Sequence, residues 1–103
     1  AEASGDDLLL ADAIMRLGTS VLAARPADAV PHYRRALDLF TRLDDRRGQV
    51  RCHINVGIAC DRAGNHPAAE VSYVTALELA REIMARDPAG LASMNLGVLL
   101  MKL

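Results

Sequence analysis

The strongest constraint on this chain is that it repeats itself at a step of forty residues. His32-Tyr33-Arg34-Arg35-Ala36-Leu37-Asp38-Leu39 returns as Ser72-Tyr73-Val74-Thr75-Ala76-Leu77-Glu78-Leu79, and Asn55-Val56-Gly57 returns as Asn95-Leu96-Gly97. A period of that length marks a solenoid of helical pairs, in which each unit buries its apolar face only against its neighbours. Such a fold offers extended binding surfaces rather than an enclosed catalytic centre.

Composition agrees. Apolar residues make up 51% of the 103, with two Tyr, one Phe and no Trp. An Ala- and Leu-rich vocabulary suits helices packed through small side chains and suits a β-sandwich poorly. The net charge of −1 gives no electrostatic case for nucleic acid or for an anionic membrane surface. No apolar run approaches the roughly 20 residues of a membrane span, and no signal-peptide pattern opens the chain. Cys52 and Cys60 on one helix lie about 12 Å apart, too far for a disulfide. A reducing, cytoplasmic setting is the expectation. The absence of an initial Met suggests an excised piece of a longer protein.

The periodicity predicts five antiparallel helices. Leu9, Ala13 and Leu17, with Leu10, Ile14 and Val21, fall at helical spacing from about Asp6 to Ala24. Arg25-Pro26 breaks that helix. Asp28 is expected to cap the second helix, which places Pro31 at its third position, where a missing N–H costs little. Tyr33, Ala36, Leu37, Phe40 and Leu43 then share a face. Asp44-Asp45 ends the first pair and caps a third helix through Val50, Ile54, Gly57 and Ile58. Gly64-Asn65 turns the chain, and His66-Pro67 opens a fourth helix with Val71, Val74, Leu77 and Ile83 as its apolar stripe. Asp87-Pro88 opens a fifth. The units run over about 6–44, 45–86 and 88–103.

Gly57 with Ala69, Tyr73 and Ala76, and Leu17-Gly18 with Ala29, Tyr33 and Ala36, follow one rule. A small residue sits where two helix axes approach, and an aromatic from the partner helix fills the space it leaves. Position by position these residues resemble the tetratricopeptide repeat, with Val56-Gly57 as the Leu-Gly pair of the first helix of a unit and Gly64 at the turn. The chain departs from that pattern in places. His53 stands at the usual Trp position, Val21, Cys60 and Leu100 stand at a usual aromatic, and the units run to about forty residues. Gly18 to Gly57 is 39 positions, which suggests a turn one residue shorter in the first unit. Longer units of this kind are similar to those of bacterial signalling and transcription regulators and of kinesin-light-chain-like adaptors.

The resemblance implies an all-α, right-handed solenoid of five helices whose first helices line a concave groove. Counted from each Leu-Gly pair, the groove-facing positions are Asp12, Arg16, Thr19 and Ala23, then Arg51, Asn55, Ile58 and Arg62, then Leu91, Asn95, Val98 and Lys102. The candidate peptide-binding residues are Arg16, Thr19, Arg51, Asn55, Ile58, Arg62, Asn95 and Lys102. Asn55 and Asn95 can offer a donor and an acceptor together to a peptide backbone, and Arg16 suits a carboxylate. Asp12 and Leu91 stand where a chaperone-tail clamp needs basic residues, which argues against that ligand.

Other chemistry is weakly represented. Cys52, His53, Cys60 and His66 lack the short spacing of a zinc quartet, so no metal and no cofactor is expected. No Gly-flanked nucleophile or phosphate-cradling loop is present, and the chain reads as a non-enzyme. The expected partner is a protein or peptide, with no direct role for nucleic acid or membrane. A second candidate surface is the apolar end Leu96, Leu99, Leu100 and Leu103, where a homodimer or other self-association could form.

Overall fold

The computed structural model describes residues 5–86, with the side chains of residues 6–84. That span forms four helices: α1 (Gly5–Leu22), α2 (Pro26–Arg42), α3 (Arg46–Arg62) and α4 (His66–Arg86). Among the described residues there is no strand. Each connection is three residues long, so successive helices double back on one another, and α1 packs on α2, α2 on α3 and α3 on α4. The fifth helix expected over residues 88–103 lies outside the described residues.

The second and third turns are built alike. In both, one N–H reaches five residues back along the helix end: Asp45 to the Phe40 carbonyl at 2.9 Å and Asn65 to the Cys60 carbonyl at 2.8 Å. Asp44 and Gly64 donate to the carbonyls of Thr41 and Asp61, both at 3.1 Å. This is the Schellman closure, which needs one left-handed residue. Gly64 takes φ +88° without cost, whereas Asp44 holds +54° with a side chain. The next residue caps the following helix. Asp45 accepts from the Gly48 N–H at 3.0 Å, as its position predicts, and Asn65 accepts from the Ala68 N–H at 3.3 Å.

The first turn closes differently, with the Arg25 N–H on the Val21 carbonyl at 2.8 Å and no positive φ. The residue missing between Gly18 and Gly57 comes out of α1 and not out of the turn. Four helical residues follow Gly18 and five follow Gly57, while both connections have three. The start of α2 also corrects an expectation. Pro26 opens the helix and Arg25 precedes it without a side-chain cap, so Asp28 sits inside the first turn and Pro31 inside the helix. Pro26 already has the φ of a first helical residue and no N–H to leave unpaired. Pro31 withholds a bond only from the Ala27 carbonyl, and both residues are exposed, where water can replace it.

The core is made of small residues with a few large ones set among them. Tyr33, Phe40, Val50 and Cys52 are its largest fully buried side chains. In α1 the buried stripe is Ala11, Ile14, Met15, Gly18 and Leu22, and in α4 it is Ala69, Tyr73, Ala76, Ala80 and Ile83. Leu9, Leu10 and Leu17, expected inside, are exposed, and so are Val71 and Val74. Ile14 and Ile83 of the expected stripes are buried, and the small residues Ala11, Gly18, Ala76 and Ala80 share their faces and allow the close approaches. A Cβ built on Gly57 would stand 2.6 Å from Tyr73 Cε1, and one on Gly18 2.8 Å from Tyr33 Cε1. These are the two small-to-aromatic contacts that the repeat implies. A third joins the units: a Cβ on Gly48 would stand 2.3 Å from Phe40 Cδ1.

Candidate functional site

Because α2 packs on both α1 and α3, one face of α1 meets one face of α3. Met15 Sδ lies 3.4 Å from Cys52 Sγ and 3.9 Å from Asn55 Nδ2, and the Arg51 guanidinium lies 3.8 Å from the Asp12 carboxylate. Over that contact the helices leave an open groove of about 280 Å³, lined by Asp12, Met15, Arg16, Thr19, Arg51 and Asn55. The lining follows from helical geometry. Residues 12, 15, 16 and 19 share one face of α1, and 51 and 55 stand one turn apart on α3.

Four of the expected residues, Arg16, Thr19, Arg51 and Asn55, therefore meet around one groove. Ile58 is half-buried and packs against the core, and Arg62 is exposed one turn beyond, outside the lining. Asn95 and Lys102 lie outside the described residues, as do Leu96, Leu99, Leu100 and Leu103. Met15 was not among the expected residues. It forms the floor, and the available signal was its place beside Arg16 on the groove face of an otherwise polar quarter.

The chemical capacities of the four differ. The Thr19 hydroxyl donates to the Met15 carbonyl at 3.0 Å, so the Tyr33 hydroxyl, also at 3.0 Å, donates to Thr19. Thr19 is thus a wall of the groove and a tether for Tyr33. Asn55 makes only the long contact to Met15 sulfur among the described residues, which leaves its carbonyl oxygen and most of its N–H capacity for a ligand. Arg16 has no ion pair among the described residues. Arg51 has only Asp12, and that pair is long and well exposed, a weak interaction. Two guanidiniums against one carboxylate leave the groove with an excess of positive charge.

Burial pushes the Cys52 thiol up to about 12, with Arg51 opposing and Asp45 reinforcing the shift. It is a buried thiol and not a nucleophile. Burial also lowers the pKa of His53, and the nearby Arg34 charge lowers it further. Both cysteines are free. Among the described residues no three metal-ligating side chains cluster, and no helix is long and apolar enough to cross a membrane.

The recurring pair of Gly18 against Tyr33 and Gly57 against Tyr73 is the signature of one repeat used twice. A family model described as tetratricopeptide repeat matches residues 7–82, which takes in nearly all of α1 through α4. The chain belongs to the tetratricopeptide-repeat family. Tetratricopeptide repeats generally mediate protein–protein interaction and are typically non-catalytic. A search of curated proteins and a search of solved structures each return no match.

Proposed function

We propose that this tetratricopeptide-repeat chain is a non-catalytic interaction module that holds an extended, acid-bearing peptide segment in the groove between α1 and α3. The observation that carries this reading is the joint placement of Arg16, Arg51 and Asn55 on one groove with their polar groups little engaged. Asn55 bonds the peptide backbone, and Arg16 receives a carboxylate that can share Arg51 with Asp12. Such a module serves a larger cytoplasmic regulatory or adaptor protein by recruiting a partner through a short segment.

A displayed library of random peptides tests the reading. Selected sequences should be rich in Asp or Glu, and their affinity should fall as salt rises. Asn55→Ala and Arg16→Gln should each weaken the best peptide about tenfold, with the melting temperature nearly unchanged. Selected peptides without acidic residues, or binding indifferent to both substitutions, would defeat it.

A further inference from the structure

The groove sets equivalent positions of the two units against each other, since a residue of α3 stands 39 positions after its counterpart in α1, as Gly57 does after Gly18. Asp12 and Arg51 are one such pair, Arg16 and Asn55 the next, and Thr19 and Ile58 the third. The pairs differ in what they offer a ligand. Thr19 uses its hydroxyl on the Met15 carbonyl and the Tyr33 hydroxyl, and Ile58 packs against the core, so the third pair brings no charge. Arg16 and Asn55 bring one uncompensated cation. In the first pair opposite charges face each other: the Asp12 carboxylate lies 3.8 Å from the Arg51 guanidinium, with both side chains partly open to water. Among the described residues that line the groove, Asp12 is the one acid.

An exposed ion pair of that length is weak as a bond but effective as a mask. A ligand carboxylate brought to Arg51 meets Asp12 as well, so attraction to the one is offset by repulsion from the other. Arg16 stands one turn further along α1 and has no ion pair among the described residues, so it is the place where a carboxylate gains most. We propose, resting on the peptide-binding reading of the groove, that Asp12 is its specificity-determining residue. By neutralising Arg51 it limits the groove to one carboxylate, held at Arg16, and a second acid directed at Arg51 gains nothing. The preferred segment carries an acidic side chain for Arg16 and uncharged residues toward Arg51.

A fluorescent peptide selected on the wild-type chain from the displayed library is remade with each uncharged residue in turn replaced by Glu. The set is titrated into the wild-type chain and into Asp12→Asn, and each added Glu is scored by its gain over the parent peptide on the same chain. On the wild type no added Glu should tighten binding by more than about twofold. On Asp12→Asn at least one should tighten it about fivefold, and adding Arg51→Gln should abolish that gain. The melting temperature of Asp12→Asn should stay nearly unchanged, because the pair it removes is exposed. A fivefold gain already present on the wild type, or none on Asp12→Asn, overturns the proposal. So does a gain that survives Arg51→Gln, because Asp12 would then be masking some other cation. Arg16→Gln tells the two levels apart, since it should weaken every peptide in the set. Where it does and Asp12→Asn changes nothing, the role of Asp12 alone falls. Where no peptide responds to Arg16→Gln, the peptide groove falls and the role of Asp12 with it.

Discussion

The two helical pairs carry the same contact with different reinforcements. In the first pair Tyr33 fills the space over Gly18, and its hydroxyl is tethered by Thr19. In the second, Tyr73 fills the space over Gly57, and the place of Thr19 is taken by Ile58. The first pair also lacks the left-handed turn residue that the second has in Gly64. The steric element of the repeat is kept, then, while the polar element and the turn geometry vary. The difference has a functional correlate. Thr19 supports Tyr33 from the groove wall, so the first unit gives up a free hydroxyl in the groove to hold its aromatic in place.

The harshest way to break the comparison is to remove the shared element. Tyr33→Ala and Tyr73→Ala should each cost about 3–5 kcal/mol in chemical denaturation, because each leaves a cavity against a glycine that cannot fill it. Equal losses from the two would show that the steric contact dominates in both pairs. A clearly larger loss at Tyr33 would show that the Thr19 tether contributes substantially.

Overpacking probes the same contacts from the other side. Gly48→Ala should destabilise by about 2 kcal/mol, since its Cβ would fall within 2.3 Å of the Phe40 ring, even after the gain in helix propensity. Gly18→Ala, at 2.8 Å, should cost less. A reversed order in thermal melts would mean that the Phe40 ring rearranges easily.

The reinforcements should respond more weakly. Thr19→Val removes the acceptor of the Tyr33 hydroxyl and should cost about 1 kcal/mol, measured together with Tyr33→Phe as a double-mutant cycle. At the turns, Gly64→Ala should cost about 1 kcal/mol, while Asp44→Gly should stabilise by about 0.5 kcal/mol by relieving the left-handed aspartate. The smallest effect is electrostatic. His53 has a lowered pKa in the folded chain, so the unfolded chain takes up its proton first. Stability should then fall as pH drops below about 6.5, and His53→Gln should flatten that acid limb in a series of melts.

How much of this was legible in the sequence depended on which signal was read. The forty-residue echo paired Gly57 with Tyr73 as Gly18 is paired with Tyr33, and the resemblance to the repeat family put Arg16, Thr19, Arg51 and Asn55 on the helix faces that line the groove. Apolar periodicity alone did worse. It drew the α1 stripe through exposed Leu9, Leu10 and Leu17 along with buried Ile14, and the α4 stripe through exposed Val71 and Val74 along with half-buried Leu77 and buried Ile83. Periodicity weighs bulk and passes over the Ala and Gly that share the buried faces with Ile14, Met15, Leu22, Tyr73 and Ile83. The cap at Asp28 was misplaced because Pro26 and Asp28 are both good starting residues, and only the chain's path into α2 chose between them. Met15 was missed because a methionine in a helix reads as core, and core it is, except that the α1–α3 contact leaves it beneath an open groove.

The sequence by itself determined the repeat: a glycine and an aromatic at a fixed interval can be satisfied only by closely approaching helices, and that interval sets the unit. The tertiary structure decided which surfaces remain open. Whether Leu17 is buried like Val56, or Arg51 is free of Asp12, depends on which helix lies alongside, and neighbours along a solenoid are set by stacking between units and not by the pattern within one.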